Sequence, residues 1–159
     1  MNVRVGQGFD VHPWSDDPGR ELFLGGVVIP GERGLAGHSD ADVVAHAVAD
    51  ALLGAGGLGD IGAHFPDTDP RWHGADSLTL LGHVVGLVRD DGWLIGNVDT
   101  TVILEAPRLA PHKGAMQDRL AGVVGAPVSV KAKRAEGLGA LGRGEGVACF
   151  AVALLVSLE

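Results

Sequence analysis

The sequence predicts an α/β (α+β) protein: a two-layer sandwich with a mixed sheet of four to five strands and helices on one face. Three observations predict this. Segments with alternating apolar residues interleave with segments of helical apolar spacing, in the order β-β-α-α-β-α-β-β. The 159 residues suit one domain, read as 1–159, and can bury a core without disulfides. Hydrophobic residues make up 46% of the chain, which sets it apart from disordered sequences. Helices on one face leave the other face of the sheet to be covered, and an oligomer is one way to cover it.

The elements follow in order. Val3 and Val5 alternate with polar residues and run into Gly6 and Gly8, a strand pattern. Residues 22–29 are extended, interrupted by Gly25-Gly26 and stopped by Pro30. Ser39 is a good N-cap, with Asp42 at the third helical position. Val44, Val48, Ala51 and Leu52 then recur at helical spacing, and Gly54 offers a stop. Residues 56–74 form a loop rich in Gly, Asp and Pro, long enough to suggest function. Asp76 or Ser77 caps a second helix bearing Leu78, Leu81, Val84, Val85 and Val88. Residues 97–104 alternate and are rich in Val, Thr and Ile, hence a strand. Residues 111–124 form a third helix with Met116, Leu120 and Val123 on one face. A short strand at 127–132 and a long apolar one at 147–158 complete the set.

The formal net charge is −8, with 12 basic against 20 acidic residues, which argues against nucleic-acid binding. A phosphate-rich substrate then needs local compensation, by metal ions or by placed cations such as Lys131, Lys133 and Arg134. Cys149 is alone, so no internal disulfide forms, which fits a reducing cytosol. The first 13 residues lack a signal-peptide apolar run, and the longest apolar stretch is too short to span a bilayer. The expectation is a soluble, cytoplasmic protein with no membrane partner.

Four constellations carry chemistry. Asp10 and His12, two apart on a strand, point the same way and can offer an oxygen and a nitrogen to one metal. The same pair also reads as a turn-stabilising Asp beside a surface His. Asp42, His46 and Asp50 share one helix face, either a plain solvated face or a metal-binding His flanked by supporting carboxylates. Asp10, His12 and His46 together would make a three-ligand zinc site with an open fourth position, the catalytic pattern. Asp60-Ile61-Gly62 with Phe65 and Asp67 reads as a ligand loop or as an ordinary turn-rich loop. Lys133, Arg134 and Glu136, followed by Gly142-Arg143-Gly144, read as a phosphate site with a carboxylate for a hard cation, or as a solvated strand end. No protein nucleophile motif is present.

The segments G-Q-G-F-D-V-H, H-S-D-A-D-V-V-A-H-A, L-G-D-I-G, F-P-D-T-D-P, G-N-V-D and G-R-G-E-G occur in the order of one family. On them the chain resembles the 2-C-methyl-D-erythritol 2,4-cyclodiphosphate synthase family of the non-mevalonate isoprenoid pathway, from Arg4 to Leu158. The resemblance implies a lyase that converts 4-diphosphocytidyl-2-C-methyl-D-erythritol 2-phosphate to the 2,4-cyclodiphosphate and CMP. It implies Zn²⁺ on Asp10, His12 and His46, and Mg²⁺ or Mn²⁺ on Glu136. His38 and Ser39 match contacts to the substrate's phosphates and methylerythritol part. Asp60 and Gly62, on either side of Ile61, match ribose contacts, and Phe65 and Asp67 lie near the methylerythritol phosphate. Leu104, Ala106, Pro107, Arg108 and Leu109 match the cytosine pocket. The family pattern implies a homotrimer with active sites at subunit interfaces.

Three positions depart from that pattern. Arg134 stands where many relatives have Thr, and changes how the diphosphate is met. Ala140 replaces an aromatic of some relatives. Phe150 replaces a Glu at the rim of an axial cavity that binds isoprenoid diphosphates in some members, with Phe9 and Arg143 at its other lining positions. The readings that compete are a zinc phosphohydrolase and a catalytically silent trimer that binds a nucleotide or an isoprenoid diphosphate.

Overall fold

The structure, a computed structural model, describes residues 1–157. Along the chain β1 (Asn2–Pro13) precedes β2 (Leu22–Leu24), β3 (Val27–Ile29), α1 (Val43–Gly56) and α2 (Ile61–His64). After a 3₁₀ turn (Pro70–Trp72) come α3 (Ser77–Asp90), β4 (Leu94–Ile103), α4 (Lys113–Val124), β5 (Val128–Lys133), α5 (Gly139–Gly142) and β6 (Gly146–Ser157). The main sheet has four strands in the order β1-β6-β4-β5, with β4 and β5 parallel and the other pairs antiparallel.

The expected fifth strand is not in that sheet. Residues 22–29 fold on themselves as the β2–β3 hairpin. Gly25 and Gly26 turn with positive φ, and their N–H groups go to the Asp42 carboxylate rather than to a neighbouring strand.

α1 begins later than Ser39 suggests. Asp42 is its N-cap and accepts from the N–H groups of Val44 and Ala45. The helix also runs past Gly54 and stops at Gly57, which takes the left-handed conformation that closes helices. It is buried almost all round because it lies on β1 and β6 and is covered in turn by α3. α4 starts at Lys113 and buries Met116, Leu120 and Val124, leaving Val123 half-buried. The long loop carries α2 and the 3₁₀ turn. The expected last residue of β6, Leu158, lies outside the described residues.

The strand pleat sorts the side chains. Val147, Cys149, Ala151, Ala153 and Leu155 of β6 join the core beneath the helices. Phe9, Val11, Phe150 and Val152 point the other way and stay exposed, with the Phe9 and Phe150 rings 4.9 Å apart. No helix among the described residues is long and apolar enough to cross a membrane.

Candidate metal centre and adjoining pockets

The first pattern in β1 is Gly6, Gly8, Asp10, His12, all on the face turned to α1. A Cβ on Gly8 would stand 1.9 Å from the Ala47 carbonyl oxygen, and one on Gly6 would stand 2.0 Å from that of Ala51. Only glycine lets the helix come this close. The same closeness delivers His46, the residue before Ala47, to Asp10 and His12.

Asp10 Oδ2 lies 3.0 Å from His12 Nε2 and 3.0 Å from His46 Nδ1. The three side chains are 25%, 20% and 11% exposed. His12 Nδ1 sits 2.7 Å from the Ala36 carbonyl oxygen. A carbonyl only accepts, so Nδ1 carries a proton, and in the neutral ring Nε2 is the nitrogen free to bind a metal. One oxygen and two nitrogens, all within 4.8 Å of one another, thus converge on a point that a cation can fill. The donor set fits a metal ion, because two imidazole nitrogens and a carboxylate oxygen are the ligand types of a zinc site with an open fourth position.

The titration of these groups reflects that crowding. Burial pushes the Asp10 carboxyl up, but the hydrogen bonds and charges of His12 and His46 outweigh it and hold it at about 2. Burial pulls His12 down, yet the contact with Asp10 and the Ala36 carbonyl prevail and raise it above its usual value.

His12 and His46 open on a cavity of about 130 Å³. Its walls include His38, Ser39, Ile61, Gly62, Phe65 and Asp67, so most of the first three constellations meet here. The His38 Nε2 atom is buried without a hydrogen-bond partner, an opening for a ligand oxygen. Asp60 does not line the cavity; it caps α2 by accepting from the Ala63 N–H. The solvated polar face of α1 is not found. Asp42 is buried at the cap, and Asp50 accepts from the Ile61 N–H at 2.7 Å, tying the 56–74 loop to the helix that bears His46.

A second cavity, of about 230 Å³, gathers Leu104, Pro107, Arg108, Leu109, Lys133 and Arg134. It shares no lining residue with the first. Glu105 joins its walls: its carboxylate accepts from Arg134 Nη2 at 2.9 Å and from the Ala135 N–H at 2.7 Å. Ala106 precedes Pro107 through a cis peptide and borders a different cleft beside Trp14. Glu136 is exposed, with φ 56°. Arg143 pairs with Glu145 at 2.6 Å and lines neither cavity. Lys131 lines neither cavity and pairs instead with Asp99 at 2.5 Å.

Sequence reasoning missed several participants. Arg20 donates to the carbonyls of Leu35, Gly37 and Ser39 and so holds the loop that carries His38 and Ser39. Trp72 and Leu80 complete the first cavity. Trp72 was findable as the one tryptophan of the 56–74 loop; the role of Arg20 leaves no local signal.

Comparison with known proteins agrees with the motif pattern. The YgbB family model matches residues 3–156. The 2-C-methyl-D-erythritol 2,4-cyclodiphosphate synthase of Trichlorobacter lovleyi is 55% identical over 157 residues, covering 97% of this chain and 99% of that one. A solved 2C-methyl-D-erythritol-2,4-cyclodiphosphate synthase in a CDP-bound form aligns with a TM-score of 0.87 at 40% identity, covering 96% of this chain and 100% of that one. The bifunctional IspDF of Campylobacter jejuni aligns with a TM-score of 0.93 at 40% identity over 99% of this chain. This chain spans 43% of that bifunctional protein.

Proposed function

The chain belongs to the YgbB family of 2-C-methyl-D-erythritol 2,4-cyclodiphosphate synthases, and we propose that it closes the cyclic diphosphate by folding its substrate across two metal-assisted pockets. The substrate is 4-diphosphocytidyl-2-C-methyl-D-erythritol 2-phosphate. An oxygen of its 2-phosphate attacks the β-phosphorus, and that P–O bond forms as the bond to the α-phosphate oxygen breaks. CMP leaves with the electron pair. The attacking group is already an anion, so the protein has no nucleophile to supply. The observation that carries this reading is the convergence of Asp10, His12 and His46 beside a cavity lined by His38 and Ser39.

Zinc is the metal this donor set suits, and when bound it supplies Lewis acidity toward a phosphate oxygen. Asp10, His12 and His46 hold it. Ser39 and His38, whose Nε2 is buried without a partner, line the cavity where the methylerythritol phosphate would lie. Ile61 and Gly62 shape its wall, and Asp67 limits its mouth. The second cavity takes the cytidine end, in keeping with the CDP-bound form of the related synthase. Lys133 and Arg134 place two positive charges beside it, and Arg134 meets the diphosphate as a cation where relatives use a hydroxyl. Glu136 offers one carboxylate, a sufficient protein share for a Mg²⁺ or Mn²⁺ held mainly by phosphate oxygens and water. Well-oriented intramolecular reactions reach effective molarities on the order of 10⁵ M or more, so positioning carries much of the acceleration.

The two cavities lie apart within one subunit, and the uncovered sheet face is apolar. Both features support a homotrimer in which neighbouring subunits share each site. A single cytoplasmic domain is part of the same reading.

The test is ³¹P NMR of the protein with the diphosphocytidyl substrate, Zn²⁺ and Mg²⁺. CMP and a cyclic diphosphate should appear together and vanish on chelation. Linear phosphates alone would mark a hydrolase. His46→Ala should lose zinc and at least about a hundredfold in turnover; full activity with normal zinc content would remove His46 from the site.

A further inference from the structure

The far side of His46 is as specific as its metal side. Its Nε2 lies 2.8 Å from Ser77 Oγ and 3.2 Å from Ser39 Oγ. Ser77 is the first residue of α3 and is 1% exposed. Its hydroxyl also meets Asp40 Oδ1 in a short contact. The Asp40 carboxylate is filled by donors on every side: the Ser77 N–H at 2.9 Å, the Asp42 N–H at 3.1 Å, and the Ser77 hydroxyl.

Proton counting then fixes the direction of each bond. A carboxylate that takes two backbone N–H groups is an acceptor, so the single Ser77 hydroxyl proton goes to Asp40. Ser77 Oγ can therefore only accept from His46. His46 Nε2 must carry a proton, so in the neutral ring Nδ1, the atom 3.0 Å from Asp10, is the nitrogen a metal takes. Ser39 is the weaker candidate for this bond: it is more distant, and its Oγ already accepts from the Ala41 N–H.

We infer that Asp40 and Ser77 form a relay, carboxylate to hydroxyl to imidazole, that positions His46 and sets its affinity for the metal. Sequence alone offered Ser77 only as a helix cap and gave Asp40 no role. The relay also joins three elements. Asp40 precedes α1, Ser77 opens α3, and the residue 38–42 segment is zipped to 74–77 by the bonds Gly74 N–H to His38 O and Asp40 N–H to Ala75 O. The loop that carries His38 and Ser39 is thereby anchored to the group that orients the metal ligand. The hydrogen bond of an imidazole on the side opposite a metal raises its basicity, and its loss typically weakens binding ten- to a hundredfold.

The inference rests on the reading of Asp10, His12 and His46 as metal ligands, and the experiment separates the two. Zinc dissociation constants are measured by chelator competition for the unaltered protein and for Ser77→Ala, Asp40→Asn, Ser39→Ala and His46→Ala. Unfolding midpoints of the metal-free forms are recorded beside them. Ser77→Ala should weaken zinc by about ten- to a hundredfold, Asp40→Asn by less, and Ser39→Ala by under about threefold. With Co²⁺ at saturation, the visible absorption bands of Ser77→Ala should shift. A merely structural serine would lower the metal-free midpoint and leave the affinity of the folded protein alone, and that result overturns the relay. So does a loss carried by Ser39→Ala instead of Ser77→Ala. Should Ser77→Ala not fold, an unchanged zinc affinity in Asp40→Asn overturns it. Normal zinc binding in His46→Ala would instead sink the metal site itself.

Discussion

Asp10 shows at the scale of one residue how a metal site is held ready. Its folded value of about 2 lies below the ordinary 3.8, so it contributes stability above 3.8 that is lost as the pH falls through about 2. His12 is displaced the opposite way, so its contribution is complete below 6.5 and fades as the pH rises through its elevated folded value. Both shifts share the Asp10–His12 contact, to which His46 and the Ala36 carbonyl add, so they describe one window rather than two gains. The metal-free protein should be most stable between roughly pH 4 and pH 6.5. Asp10→Asn should remove on the order of 2 kcal/mol within that window and little at pH 2, read from urea midpoints across pH. A pH-independent difference between the two forms would break the link to ionisation. Cys149, opposite Asp10 on β6, is no competitor for the metal, since burial and nearby carboxylates push its thiol well up.

At the scale of elements, the site depends on how closely α1 sits on β1. The glycines at 6 and 8 act on the chemistry although they touch no ligand. Gly8→Ala must lift the helix from the strand, because its Cβ would meet the backbone of Ala47 and not a flexible side chain. The cost should be at least about 3 kcal/mol, a fall of about 10 °C in melting temperature. Zinc affinity should fall with it, because His46 rides on the helix while Asp10 and His12 ride on the strand. An alanine variant that melts and binds zinc normally would mean that the pair does not need this contact. Asp50 extends the same coupling to the substrate side, for its bond to Ile61 fixes the wall of the first cavity to α1.

At the scale of the whole molecule, the sheet has one dry face and one bare one. Val3, Val5, Phe9, Val11, Phe150 and Val152 are each between 43% and 66% exposed and adjoin one another across β1 and β6. A contiguous apolar surface of this kind is costly in water and marks a contact face. With the trimer proposed above, light scattering should give about three times the 16.3 kDa of the chain. Val152→Asp should lower that mass toward one subunit and abolish turnover, with the metal ligands intact. A trimer unaffected by the charge would place the interface elsewhere. Phe150 belongs to this same face, on the side of the sheet away from the metal-ligating cluster.

Local chemistry made much of this legible. Strand alternation placed Asp10 and His12 on one side, and helical spacing located α1, α3 and α4 within a few residues. Those signals survive because the pleat and the helical turn are fixed by the backbone and repeat in the sequence. The caps were less legible: Ser39 and Asp42 both suit an N-terminus, and the choice fell to Asp42 because only there do the hairpin N–H groups of Gly25 and Gly26 also need an acceptor. The relay from Asp40 through Ser77 to His46 was invisible, since it joins residues 31 and 37 positions apart that no period connects. By itself the sequence determined which residue types were present and which face of its own element each would take. Only the tertiary structure decided which faces meet, because hydrogen bonds and close packing act over a few ångströms of space, whatever the distance along the chain.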